Sequence, residues 1–249
     1  DNAFIGSFEL PKTATAAAFT FVADDKRDNN QKKGYIIQVY DDKKQPVPFA
    51  NKALFRFYGD WDGQIAGITR DNQLASSYME KEYKAFPENK RENIYQYFLS
   101  MRNIKKPDVN EIILPEVAKI EAEGNLAEDQ YANLSYIYKE SNHKEKADAL
   151  TATMKEKFPM GNWKKSETNR AIYAEKNAAK REALVEGYIK EFNIEPAQAA
   201  SVKWLMAAAY ADENNWDKFF AITKNIDMST LAFEYGLLAR KLADSSRSL

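Results

Sequence analysis

The chain of 249 residues carries 36 Lys and Arg against 37 Asp and Glu, a net charge of -1, with 44% hydrophobic residues and a mean hydropathy of -0.63. That balance lacks the basic surplus with which nucleic-acid binders displace counterions from phosphates, so nucleic acid is excluded as a partner. With no cysteine and a single histidine, His143, it also excludes thiol chemistry, disulfides, the usual Cys/His zinc sites, and every Ser-His or Cys-His pair not built on that one residue. The longest near-apolar stretches, Thr15–Ala23 and Trp204–Ala211, fall short of the roughly 18 residues a membrane-spanning helix needs, and no charged-then-apolar leader is read ahead of Asp1.

The fold class expected is α+β, predominantly α. Residues 1–70 predict a small β-sandwich-like head. Phe4, Phe8 and Leu10 share one face of a period-2 pattern, Phe19 and Phe21 another, and Tyr35–Tyr40 and Leu54–Tyr58 supply two further strands. The stretches from Asp24 to Asn30 and from Asp41 to Pro46 are rich in Asp, Asn and Pro, which set turns. Because the pattern opens at Ala3, the head is either a half-sandwich or one that takes a strand from upstream of Asp1.

From Asp71 the apolar period becomes helical: Ile94, Tyr97, Phe98 and Met101; then Tyr131, Leu134 and Tyr138; then Ala147, Leu150, Met154 and Phe158. Asn89, Asp108 and Asn125, each followed three residues later by Glu, predict helix starts, and Pro196 suits a first helical position. Pro115, inside a helical run, should kink or restart its helix. Large apolar residues close successive charged segments at Phe86, Ile120, Phe158, Phe192 and Ile226, with separations of 34, 38, 34 and 34. A period near 34 is that of the tetratricopeptide repeat, two antiparallel helices that bury their apolar faces only against a neighbouring repeat. Residues 71–249 therefore predict a tetratricopeptide-like array of antiparallel helices.

The best copy runs from Glu128 to Pro159. Tyr131, Leu134, Ser135 and Tyr138 occupy first-helix positions, Ala147 the close crossing and Pro159 the breaker, while Thr151 and Met154 depart from the pattern. The segment ending at Phe86-Pro87 supplies only a second helix, because Arg56–Ile68 reads as strand and loop; the head should dock there. At the end, Leu231, Tyr235, Leu238 and Leu242 form one stripe that caps the array or begins another repeat.

The order of several short motifs resembles that of a known group. These are Gly6-Ser7-Phe8, Asp28-Asn29-Asn30, Lys33-Gly34-Tyr35, Gln45-Pro46-Val47-Pro48, Lys84-Ala85-Phe86-Pro87 and the run from Lys155 to Gly161. Together they resemble the region ahead of the redox domain in envelope-located thioredoxin-like proteins of Gram-negative bacteria, where an immunoglobulin-like head and a tetratricopeptide-like segment precede a Cys-x-x-Cys domain. The resemblance implies an exported protein of the periplasm or cell envelope, with a possible upstream lipid anchor and a supporting rather than redox role. None of that family's redox residues carries over to this cysteine-free chain.

First helices of such repeats line a groove, which makes Asp129, Ala132, Tyr136 and Lys139 the expected partner-binding residues. Asp129 stands where a carboxylate clamp would need a cation, so no clamp is expected. Trp61, beside Asp60, Asp62 and Gly63, and Trp163, after Met160-Gly161-Asn162, are the aromatic candidates on loops. His143 reads as a turn residue. Asp24, Asp25, Asp28 and Asn30, like Asp60 and Asp62, read as turn formers rather than as a calcium loop, lacking its alternating ligands and closing Glu. No catalytic residue, metal site or cofactor is predicted. The function expected is a non-catalytic scaffold or interaction region whose partner is a protein, a peptide or an adjacent domain of the same chain. A glycan- or nutrient-binding envelope protein is the alternative, and a carboxylate hydrolase a further one, although no spacing singles out two of the acids.

Overall fold

The computed structural model describes residues 7–224, 226 and 232–247. The protein is α+β and predominantly α. It divides into two compact units, Asp1–Met154 and Lys155–Leu249.

The first unit begins with four short strands, β1 (Ala16–Phe19), β2 (Phe21–Ala23), β3 (Lys26–Asp28) and β4 (Tyr35–Gln38). β1 pairs antiparallel with β4, setting Ala16 opposite Gln38 and Phe19 opposite Tyr35, and β2 pairs with β3 around an Asp24-Asp25 turn. Phe19 and Phe21 thus belong to two strands rather than one. Phe8 and Leu10 lie on irregular chain instead of a strand, and Ala3, Phe4 and Gly6 lie outside the described residues.

The larger correction concerns Leu54–Tyr58. These residues form part of a helix, α1 (Ala50–Gly59), followed by the short α2 (Trp61–Ile65). The alternation Leu54, Arg56, Tyr58 has the strand period, but α1 buries Ala50, Asn51, Leu54, Phe55 and Gly59, whose spacing is that of one helix face. α1 packs along α3 (Asn72–Ala85), with the β1–β4 sheet against it. The first-helix position expected to be strand and loop is therefore filled by a helix. Gly63 is required here: a Cβ on it would stand 1.7 Å from the Phe57 carbonyl oxygen.

α1 starts badly by itself. Its N-cap is Phe49, which has φ 69° and no side-chain acceptor, and its first turn has no acid. The missing acceptor comes from α3: the fully buried Glu82 accepts from the Phe49 amide at 2.6 Å and from the Asn51 amide at 3.2 Å. A carboxylate there satisfies orphan amides and faces the positive end of the helix dipole.

α4 (Lys90–Asn103), α5 (Val109–Glu123), α6 (Glu128–Glu140) and α7 (Lys144–Lys157) follow, with α4 packed on α3, α5 and α6. α5 is one helix through Pro115, not two. Asn89 and Asp108 are N-caps without a side-chain cap bond, Asn125 is not a cap, and Ala127 starts α6, with the Gln130 side chain accepting from its amide. The Arg91 guanidinium donates to Gln130 Oε1 at 3.0 Å and to the Gly124 and Asn125 carbonyls at 2.8 and 2.7 Å, tying α4 to the end of α5 and the start of α6.

The second unit contains α8 (Asn162–Ala174), α9 (Ala178–Glu191), α10 (Pro196–Asp212), α11 (Trp216–Thr223) and α12 (Ala232–Arg247). α9 packs on α8 and α10, and α10 on α11. Tyr188, Val202 and Met206 share one apolar cluster, and Trp204, Ala207 and Phe219 another, against which Tyr235 and Leu238 of α12 pack. Leu242 of the expected stripe is exposed, and Leu231 lies outside the described residues. Phe220 of α11 is 63% exposed. The first helices of successive pairs, α4, α6, α8 and α10, begin 38, 34 and 34 residues apart, which is the period of the apolar markers. Among the described residues no helix is long and apolar enough to cross a membrane.

Candidate functional site

α6 and α7 form the pair that best matches the repeat motif, and their packing explains why its deviations are tolerated. Tyr131, Leu134, Ile137 and Tyr138 of α6 are buried, as are Ala147, Leu150 and Met154 of α7. Ser135 Oγ donates to the Ala147 carbonyl at 2.9 Å and hydrogen-bonds Thr151 Oγ1 at 2.8 Å, so Thr151 fills an aromatic position with a polar tie to α6. Tyr138 donates from its hydroxyl to Glu121 at 2.8 Å, reaching α5; burial, then the Glu121 bond, pushes that phenol well above its ordinary range. His143 lies in the α6–α7 turn, its amide donating to the Tyr138 carbonyl at 2.8 Å.

Beside this core is an open cleft of about 710 Å³ that Ala132, Tyr136 and Lys139 of α6 share with Lys144, Asp148 and Thr151 of α7. Ala132, Tyr136 and Lys139 fall at i, i+4 and i+7, one stripe of the helix. Tyr136 is 39% exposed, yet its ring is held edge-on by Tyr95 at 5.5 Å and Phe98 at 6.4 Å, both on α4. Lys139 has no ion-pair partner among the described residues, whereas Lys144 is engaged with Asp148. The structure therefore brings Tyr136 and Lys139 together. Asp129 is exposed on the first turn of α6 but does not line the cleft.

The two tryptophans stand elsewhere. Trp61 is the first residue of α2 and is 73% exposed. Trp163 is not loop-borne: it sits in the first turn of α8, half-buried, donating from Nε1 to the Phe158 carbonyl at 2.6 Å with the Lys155 ammonium 4.5 Å above its ring. Of the carboxylates weighed as calcium ligands, Asp28, Asp60 and Asp62 are engaged in turns and ties. Asp28 accepts from the Asn30 amide at 2.9 Å and the Tyr35 hydroxyl at 2.8 Å, bonds that hold it below its ordinary value, and Asp62 pairs with Arg56 at 2.7 Å.

No family model, curated protein or solved structure matches this chain.

A second cleft of the first unit escaped sequence reasoning. It has a volume of about 740 Å³ and lies where the loop after β3, the start of α3 and the end of α4 converge. Its walls bring together Lys32, Arg70 and Lys105, which are far apart in sequence and lie on no common periodic stripe. A hint lay in the Asn29–Gly34 run, whose Asn and Gly residues signal a tight turn. Nothing in the sequence shows that this turn docks on residues 67–69.

Proposed function

We propose that the chain is a non-catalytic interaction module whose α6–α7 cleft receives a segment of a protein partner or of an adjacent domain. The observation that carries this is the exposed yet immobilised ring of Tyr136 beside the uncommitted ammonium of Lys139. An aromatic side chain already fixed in place gives up little conformational freedom when it binds, and tyrosines so placed commonly dominate interfaces. The motif order adds a setting: an exported protein of the Gram-negative envelope, in which this body supports a thioredoxin-like domain.

Selection of phage-displayed random peptides against the full chain tests the reading. Selected peptides should bind saturably and lose about tenfold or more in affinity with Tyr136→Ala, with a smaller loss for Lys139→Ala. If no selected peptide is sensitive to either substitution, the cleft is not the binding surface.

Glycan binding is the second reading, and the 73% exposure of Trp61 favours it. It expects a saturable change in indole fluorescence on glycan titration that Trp61→Ala removes.

A further inference from the structure

The second cleft is more than a dent in the surface, because its walls are tied together. The Thr69 amide donates to the Lys32 carbonyl at 2.7 Å, the Lys32 amide to Asn29 Oδ1 at 2.9 Å, and Asn29 Nδ2 to the Gly67 carbonyl at 3.1 Å. Gly34, at φ +70°, lets the turn lie against Ile68, which a Cβ would approach to 2.6 Å. Lys32 and Lys105, on opposite walls, both hold left-handed backbone, at φ 68° and 53°. For residues other than glycine that conformation costs on the order of 1 kcal/mol and persists only where surrounding contacts enforce it.

The charge is one-sided. Lys32, Lys33, Arg70 and Lys105 line the cleft with a single carboxylate, Asp71, which is occupied accepting from the Leu74 amide at 2.9 Å as the cap of α3. None of the four cations has an ion-pair partner among the described residues, although the whole chain carries a net charge of only -1. Four cations sharing one cleft with a single carboxylate give it a net positive charge, which attracts an anionic ligand. Apolar surface from Tyr58 and Leu74 lies among them, which suits a polypeptide with an apolar side chain between acids better than a bare inorganic anion.

We infer that this cleft is a docking site for an acidic, carboxylate-rich polypeptide segment. It stands apart from the α6–α7 cleft and does not rest on the function proposed for it. The probe is a fluorescein-labelled peptide with two glutamates on each side of a leucine, titrated into the full chain and followed by anisotropy at low salt. Expected are saturable binding that weakens steadily as sodium chloride is added, a loss of about tenfold or more when the glutamates are replaced by glutamine, and a similar loss with the double substitution Lys32→Glu, Lys105→Glu. These lysines are exposed, so unchanged circular dichroism should show that the variant still folds. Lys26→Glu in the β2–β3 hairpin should leave binding intact. No saturable binding, binding indifferent to the double substitution, or displacement by inorganic phosphate beyond that of sodium chloride at equal ionic strength would each overturn the inference, the last by showing a small-anion site instead.

Discussion

Two antiparallel pairs in the first unit, α1 with α3 and α6 with α7, show how one arrangement is reached by different means. In the α6–α7 pair the motif supplies a small residue, Ala147, at the close approach and Ser135, whose hydroxyl bonds the Ala147 carbonyl and Thr151, a departure from the motif. In the α1–α3 pair the sequence shows only the second helix of the motif, and a buried carboxylate from that helix completes the start of the first. A helix that cannot cap itself can thus be held by a long-range partner, here 33 residues away in sequence.

This comparison can be broken at each pair in turn. The largest effect is expected at Glu82. Glu82→Ala strands the buried Asn51 amide and the partly buried Phe49 amide and should cost about 3 kcal/mol, read as a lower denaturant midpoint with early loss of α1, while Glu82→Gln should recover part of it because one amide oxygen still accepts. Next comes Ala147→Leu, which overpacks the α6–α7 approach and should cost about 2 kcal/mol. If it is tolerated, that approach is looser than the burial of Ala147 implies. Ser135→Ala removes one hydroxyl tie and should cost about 1 kcal/mol in the same measurement.

The smallest effect is electrostatic, and it sits between the two pairs. Glu116 of α5 accepts from Lys90 at 3.0 Å and from the Tyr83 hydroxyl at 3.1 Å, joining α5 to α3 and α4. Burial pushes this carboxyl up, but those two hydrogen bonds together with the charges of Lys90 and Lys119 outweigh it and hold it below its ordinary value of 4.5. A carboxyl depressed in the folded state stabilises above its unfolded value and loses that contribution as the pH falls through the folded one. Glu116→Gln should therefore cost under about 1 kcal/mol near neutrality, the pair being partly solvated, and the gap from the parent protein should close as the pH drops below 4.5. A gap that stays constant with pH would assign Glu116 a packing role instead.

The legible part of the molecule is the part governed by local periodicity. The 3.6-residue stripes from Asp71 onward placed the helices through α7, and of Asp129, Ala132, Tyr136 and Lys139, expected to face a groove, the last three border the α6–α7 cleft while Asp129 does not. The head was misread because short apolar runs fit both periods. Leu54–Tyr58 alternates like a strand, and only Ala50, one turn earlier and buried against α3, shows that the run is helical. Trp163 looked loop-borne because Gly161 precedes it, yet Gly161 is the N-cap of α8 and the indole turns back to the Phe158 carbonyl.

By itself the sequence determined the predominance of helix, the repeat period and the exposed stripe of α6, since each follows from residues within a turn or two of one another. Tertiary structure alone decided that Glu82 starts α1, that Arg91 closes the α5–α6 connection, and that Lys32, Arg70 and Lys105 share one cleft. Those pairings bring together groups that are distant in the chain and share no period. Only the packed fold sets the distances over which a hydrogen bond forms or like charges repel.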